Sequence, residues 1–191
     1  MNHTCLALAA VLMVAGALSG AVAVTAKPPA APPANSAAPG KFGDWEVRCF
    51  SVSSPAPCDM VQLLTQKKTG DRVMSLSIAF APQTSRHLVQ FVVPLGVSLP
   101  KGATLISGSY TSPRLFYRRC NKAGCFIEGG IEEAVIDTLG KSDGPAKMMV
   151  VSDSGKPLSI SFSLRGFAQA HGQMVALERK RATASPDQAK K

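Results

Sequence analysis

The amino-acid sequence predicts a mainly all-β protein, an antiparallel β-sandwich of about seven to nine strands with two short helices in its C-terminal half. Short segments in which apolar and polar residues alternate follow one another at the spacing of hairpins. Strands do not alternate with helices, so the crossover units of a parallel sheet are not expected. One domain, residues 42–178, is predicted to hold all of these elements.

Two segments precede the predicted domain. Residues 1–26 contain the apolar run Leu6–Leu18, carry no Lys, Arg, Asp or Glu, and end in small residues, as a secretory signal peptide does. Cleavage is expected near Ala23 or Ala26, and an uncleaved anchor is the alternative because the leader begins with so little charge. Residues 27–41 are rich in Pro and Ala and predict an extended linker. The sequence therefore predicts an exported protein.

Strands are predicted where apolar residues recur at every second position. The clearest alternations lie in Val73–Phe80 and Leu158–Leu164, which place their small polar residues on the opposite face. A hairpin turn is expected at Lys67–Asp71, where Gly and Asp occur together. The remaining predicted strands and extended pieces are Phe42–Cys49, Val61–Thr65, His87–Val93, Gly96–Leu99, Ala103–Tyr110 and Lys147–Val151.

Apolar residues recur at the spacing of a helix in two segments, both late in the chain. From Ile131 the apolar residues Val135, Ile136 and Leu139 share one helical face, and Gly140 can end the helix. A second helix is predicted for Gly166–Leu177, weakened by Gly172. The basic residues 179–191 are predicted to form a disordered tail.

Four cysteines remain once the leader, with Cys5, is removed: Cys49, Cys58, Cys120 and Cys125. An even number in an exported chain predicts two disulfides. Four cysteines allow three connectivities, and the short separations favour Cys49 with Cys58 and Cys120 with Cys125. Neither pair has the CxxC spacing of thiol oxidoreductases or of zinc knuckles.

The stretch Arg114–Gly130 holds the densest run of positive charge in the predicted domain, on a predicted strand, Arg114–Cys120, that enters the Cys120–Cys125 loop. Arg114, Arg118, Arg119 and Lys122 are candidates for binding an anionic partner. The alternative is a solvated edge strand, on which cations prevent edge-to-edge pairing. The net charge of +9 favours contact with anionic surfaces, including peripheral contact with a membrane.

No catalytic residue, cofactor site or metal site is predicted. The sequence contains no P-loop, GxGxxG or HExxH pattern. His87 and His171 are far apart in the sequence and have no carboxylate at ligand spacing, so they are expected to be packed or surface histidines. Trp45 is expected in the core. Nucleic-acid binding is not expected, because no basic and aromatic motif of that kind occurs.

Several segments together resemble the invasion-associated locus B family. They are FGDWEVRC (Phe42–Cys49), Cys58, VPLGVSLPKG (Val93–Gly102), CNKAGC (Cys120–Cys125) and SLRGFAQA (Ser163–Ala170). The resemblance covers Phe42 to about Leu177. It implies a bacterial protein of the periplasm or outer surface, associated with host-cell invasion in pathogenic members and without an established enzymatic activity. It also implies the pairings Cys49 with Cys58 and Cys120 with Cys125.

The sequence thus predicts a non-enzymatic, disulfide-stabilised envelope protein that binds a host or envelope partner, either a protein or an anionic surface. Two alternatives of other classes stay open. One is a structural or chaperone-like envelope subunit that donates or accepts an edge strand. The other is an envelope hydrolase or thiol oxidoreductase with an unfamiliar site.

Overall fold

The structure, a computed structural model, describes residues 39–52 and 54–184. The predicted leader, residues 27–38 of the predicted linker and residues 185–191 of the predicted tail lie outside the described residues. The described strands form two antiparallel sheets that pack as a sandwich. This confirms the predicted fold class.

The larger sheet has seven strands in the order β1-β2-β3-β4-β5-β9-β8. Their bounds are β1 (Gly40–Phe42), β2 (Trp45–Cys49), β3 (Cys58–Thr65), β4 (Arg72–Ala81), β5 (Arg86–Val93), β8 (Arg119–Asn121) and β9 (Gly124–Ile131). The smaller sheet has four strands in the order β11-β10-β6-β7. Their bounds are β6 (Ala103–Ser107), β7 (Tyr110–Thr111), β10 (Ala146–Val151) and β11 (Pro157–Phe162).

Two α-helices complete the described fold, α1 (Glu133–Gly140) and α2 (Phe167–Ala184), with a short 3-10 helix at Leu99–Lys101. In the described part of the chain, neither helix is long and apolar enough to cross a membrane.

The larger sheet forms because its central strands have one apolar face. Along β4, Met74, Leu76 and Ile78 are buried, whereas Ser75 and Ser77 are only partly covered. Side chains alternate between the faces of a strand, so this pattern directs one face to the core. The same alternation in the neighbouring strands makes a continuous apolar surface.

Both the smaller sheet and α2 cover that apolar surface. Phe91 of the larger sheet and Phe162 of the smaller sheet lie with ring centroids 6.3 Å apart. Met148 of the smaller sheet and Met174 of α2 belong to the same buried cluster and are fully buried. The core is therefore a single layer shared by two sheets and a helix.

Two segments of the family resemblance, FGDW and SLRGF, meet at the start of α2. Gly43 and Gly166 both have positive φ, at 60° and 85°. A Cβ atom on Gly166 would lie 2.1 Å from the carbonyl oxygen of Phe42, and one on Gly43 would lie 2.4 Å from that of Arg165. The backbone N–H of Asp44 donates to the Arg165 carbonyl at 3.1 Å. Only glycine allows the two backbones to approach this closely.

Side chains from the same two segments fasten this junction. Trp45 packs edge-on against Phe167 with centroids 5.1 Å apart, and its Nε1–H donates to the Ser163 carbonyl at 3.0 Å. The buried Gln62 side chain donates to that carbonyl and accepts from the Ser163 N–H. Trp45 is 1% exposed, which confirms its predicted place in the core. The shared segments thus build the contact that seats α2 on the larger sheet.

The prediction of one continuous strand over Arg114–Cys120 is wrong. Residues 112–118 cross from one sheet to the other, so no single strand can pair along their whole length. Leu115 bonds to Ala103 of the smaller sheet in both directions, and the Arg118 N–H donates to the Phe126 carbonyl of the larger sheet.

Three further boundary differences concern β1 and the two α-helices. β1 begins at Gly40, inside the predicted linker, because residues 40–42 pair with β2. Helix α1 begins at Glu133 rather than Ile131, because Ile131 still pairs with His87. Helix α2 continues from the predicted end at Leu177 to Ala184, so residues 179–184 of the predicted disordered tail are helical. Met174, Leu177 and Glu178 are buried, and this packing outweighs the weak helix propensity of Gly172.

Candidate functional site

The positive charge predicted around Cys120 gathers at one end of the larger sheet. Ser75, Val92, Phe126 and Arg119 lie in one row across four strands. Beyond this row, the turn between β3 and β4 and the hairpin between β8 and β9 both leave the sheet on the same side. The Arg72 guanidinium donates to the Ala123 carbonyl in the tip of that hairpin, which joins the two turns.

This surface is named the basic end, and its exposed cationic residues are Lys67, Lys68, Arg72, Arg118, Arg119 and Lys122. Sequence reasoning missed Lys67, Lys68 and Arg72, because their nearness to the hairpin depends on how β4, β5 and β9 pair. Arg114 lies elsewhere, packed beside Gly102.

The predicted cationic residues differ in their contacts. Arg119 donates to Glu128 at 2.7 Å, and its guanidinium lies 3.7 Å from the centroid of the Phe126 ring. Arg114 lies 4.9 Å from the centroid of the exposed Phe116 ring. Among the ion pairs of the described residues, none includes Arg118 or Lys122. Arg119 is therefore fixed and partly neutralised, whereas Arg118 and Lys122 present full charges to solvent.

Two disulfides close hairpins at opposite ends of the larger sheet. Cys49 is bonded to Cys58 and Cys120 to Cys125, with S–S distances of 2.04 and 2.11 Å. The members of each pair lie directly opposite one another in adjacent strands. The Cys120–Cys125 bond holds the hairpin that carries the basic end.

A cluster of titratable side chains lies at the other end of the larger sheet. The register of β5 and β9 places His87 opposite Ile131, two residues before Glu133. Phe167 is buried at the start of α2, and His171 lies about one turn later on the same face of that helix. The His171 Nε2 is 2.8 Å from the His87 Nε2, and the His87 Nδ1 is 3.0 Å from a carboxylate oxygen of Glu133. His87 and His171 are called the histidine pair.

The environment of the histidine pair favours neutral imidazoles. His87 is 3% exposed and packs against Phe80 with ring centroids 4.8 Å apart. Burial lowers the pKa of His87, and the nearby Glu133 opposes that shift. Burial also lowers the pKa of His171, a positive charge on His87 lowers it further, and Glu133 and Asp137 oppose both effects. Because the buried His87 ring and the partly buried His171 ring are in contact, it is energetically costly for both to be protonated at once.

The hydrogen bonds of the histidine pair define one consistent set of tautomers. An ionised Glu133 only accepts, so the His87 Nδ1 carries the hydrogen. A neutral His87 then has a lone pair on Nε2, which accepts from the Nε2–H of His171. In the described part of the chain, the hydrogen bonds of both rings run to each other and to Glu133, and not to a serine as in a nucleophile–base pair.

Although no carboxylate lies at ligand spacing from either histidine in the sequence, the fold brings Glu133 to 3.0 Å from His87. His87, Glu133 and His171 come from β5, α1 and α2, and each can offer one metal-ligand atom within 4.8 Å of the others. Their spacing along the sequence gives no signal of this, because only the pairing of β5 with β9 and the packing of α2 bring them together.

A buried carboxylate lies near the Cys49–Cys58 disulfide. Glu178 on α2 is 1% exposed and accepts a hydrogen bond from the Cys58 backbone N–H. Burial raises the pKa of Glu178, and the Cys58 N–H and the Arg181 charge partly oppose that shift. Sequence reasoning missed this contact, since it assigned residues near Glu178 to a disordered tail.

The sequence and the fold of this chain are similar to those of known proteins. The family described as invasion associated locus B (IalB) protein matches residues 45–175, more than half of the chain. Two invasion protein B homologs of Brucella abortus, from strain 2308 and from biovar 1 strain 9-941, are each 25% identical to this chain over 136 residues. Each match covers 71% of this chain and 78% of the relative.

A solved structure shows the same fold. The crystal structure of invasion associated protein B from Bartonella henselae superposes with a TM-score of 0.66 at 19% sequence identity. The superposition covers 74% of this chain and 99% of that protein. On these grounds, this chain belongs to the invasion associated locus B (IalB) family.

Proposed function

We propose that this chain is an exported, non-enzymatic protein of the cell envelope that binds an anionic surface or partner through its basic end. Export is supported by the leader pattern of residues 1–26 and by two disulfides, which persist in oxidising compartments. The invasion-related names of the family and of the Brucella and Bartonella relatives agree with a role at the cell surface.

The observation that carries this proposal is the convergence of two basic turns. The contact of Arg72 with Ala123 joins the Lys67–Lys68 turn to the Lys122 hairpin, although the two turns are far apart in sequence. Neighbouring cations produce a positive potential that attracts anionic lipids or acidic polymers. A rigid support, here the sheet and the Cys120–Cys125 bond, lowers the entropy lost when a surface binds.

The test removes charge from the basic end without disturbing its structural contacts. Lys67→Gln, Arg118→Gln and Lys122→Gln change exposed side chains and leave the Arg119–Glu128 and Arg72–Ala123 contacts in place. Each basic residue near an anionic membrane contributes about 1 kcal/mol. The triple variant should therefore bind phosphatidylglycerol-containing vesicles about a hundredfold more weakly at low salt.

A matched control removes the same charge elsewhere. Lys147, Lys156 and Lys180 are exposed and lie outside the basic end, so their replacement by Gln should weaken binding much less. Added salt should reduce the difference between the two triple variants, because it screens exposed charges. Equal losses in both variants would show that only net charge matters, and would refute a specific basic end. Binding of wild type to neutral phosphatidylcholine vesicles with equal strength would also refute it.

A further inference from the structure

We propose that the histidine pair, His87 and His171, binds a divalent first-row transition-metal ion of the Zn²⁺ class, with Glu133 as the residue that positions His87. This site lies at the end of the larger sheet opposite the basic end, and it is independent of the proposed surface binding. Its metal ligands are the two Nε2 atoms that face each other at 2.8 Å.

The distance between these nitrogens is close to that of a metal-bound pair. Nitrogen ligands lie about 2.0–2.1 Å from zinc, so two of them in a tetrahedral site are about 3.3 Å apart. To admit the ion, the two nitrogens must move apart by about half an ångström, and the rings must tilt so that both Nε2 lone pairs point at the ion. His171 lies on a helix surface and is only partly buried, so it can make this shift more easily than His87.

The proton balance of binding follows from the hydrogen bonds already described. The His87 Nε2 has a free lone pair, and the His171 Nε2 carries the shared hydrogen. Metal binding would remove that one hydrogen from between the rings. The His171 ring keeps a neutral form by holding a hydrogen on Nδ1, so one proton moves from Nε2 to Nδ1 and none has to be released to solvent.

Glu133 holds His87 in the way that outer carboxylates hold metal-bound histidines. Such histidines donate their second ring N–H to a carboxylate, which fixes the ring and makes it a better ligand. The Glu133 contact with the His87 Nδ1, at 3.0 Å, is this arrangement. The Glu133 side chain is 63% exposed and His171 is only partly buried, so the cluster borders solvent on the side of these two residues, where an ion can enter and water can fill the remaining coordination positions.

The chemistry of the donors selects the class of ion. Imidazole nitrogens suit zinc, copper and nickel, whereas calcium and magnesium prefer sites made of oxygen ligands. A buried histidine pair without a metal would serve only as a packed hydrogen-bonded contact. If the pair binds metal, Zn²⁺ binds to the protein and its affinity depends on His171. If the pair is only a packed contact, neither is expected.

The experiment titrates ZnCl₂ into the full chain, with both disulfides formed, by isothermal titration calorimetry. Wild type should bind one Zn²⁺ saturably. His171→Gln should weaken binding by more than about a hundredfold, and Glu133→Gln should weaken it about 10- to 100-fold, the range for outer carboxylates. Glu132→Gln is the control, because Glu132 is an exposed carboxylate next to Glu133, whereas the carboxylate that contacts His87 is that of Glu133. It should leave the affinity unchanged.

A second measurement guards against loss of folding. His87 is buried, so the test relies on His171 and Glu133, whose variants are compared with wild type by far-ultraviolet circular dichroism. ZnCl₂ should raise the thermal midpoint of wild type and of Glu132→Gln, and should leave that of His171→Gln unchanged. CaCl₂ should have no effect on any of them. Absence of saturable Zn²⁺ binding by wild type, or equal binding by folded His171→Gln, would overturn the proposal.

Discussion

The junction between FGDW and SLRGF gives the sharpest stability prediction, through Gly166→Ala. Gly166 has φ of 85°, and its added Cβ would lie 2.1 Å from the Phe42 carbonyl oxygen and 2.8 Å from the Gly43 nitrogen. Both neighbours are backbone atoms, so no side-chain rotation can relieve the contact. Either the start of α2 or the turn after β1 must move.

The expected cost has two parts. A residue with a Cβ loses about 1–2 kcal/mol in the left-handed conformation. Forcing an extra methyl group into a packed site costs about 1–3 kcal/mol more. Replacing glycine also restricts the unfolded chain, which returns about 0.4–1 kcal/mol. Gly166→Ala should therefore lower the free energy of unfolding by about 2–4 kcal/mol, a large part of the total for a domain of this size.

Urea unfolding followed by tryptophan fluorescence measures this change. Trp45 is the single tryptophan and packs edge-on against Phe167, next to the substituted site. Two glycines serve as controls. Gly155 has φ of 81° but nothing within 4 Å of an added Cβ, so Gly155→Ala isolates the conformational part and should cost about 1 kcal/mol. Gly172 lies within α2 with open space around it, so Gly172→Ala should stabilise by about 0.5–1 kcal/mol. Equal costs for Gly166→Ala and Gly155→Ala would refute the close-approach explanation.

Two further predictions concern Glu178 and the hairpin disulfide. Burial raises the pKa of Glu178 in the folded protein above its ordinary value of 4.5, which applies to the unfolded chain. The protonated form of Glu178 therefore adds its full stability below pH 4.5, and this stability is lost as the pH rises through the raised pKa of the folded protein. Glu178→Gln keeps an acceptor for the Cys58 N–H but cannot ionise. Its free energy of unfolding in urea, relative to that of wild type, should therefore increase with pH. A difference that does not change with pH would contradict the burial argument. Replacing Cys120 and Cys125 by Ser should lower the free energy of unfolding by about 2–3 kcal/mol. It should also weaken vesicle binding in conditions where the domain stays folded. Unchanged vesicle binding would show that the disulfide does not organise the basic end.

Much of the larger sheet could be predicted from sequence alone. Strands β2 to β5 follow one another as hairpins, and the alternation of residues such as Met74, Leu76 and Ile78 reports directly which face is buried. The two disulfides join cysteines in adjacent strands, and their short separations favoured these pairs. In these places, local pattern and tertiary structure depend on the same residues.

The parts that depended on tertiary structure could not be predicted in this way. Residues 112–118 have the composition of a strand, but Leu115 and Arg118 pair with different sheets, and no local pattern signals that change. The histidine pair depends on the pairing of β5 with β9 and on the packing of α2. The basic end likewise gains Arg72 only through contact with Ala123.

The most direct test of the proposed binding surface is residue-level mapping by NMR. Anionic vesicles are added to the ¹⁵N-labelled protein, and the loss of each backbone amide signal is recorded. The account predicts the earliest losses in the Lys67–Arg72 turn and the Arg118–Cys125 hairpin, reversed by salt. Losses centred on the opposite end, around His87 and Glu178, or spread evenly over the domain, would contradict it.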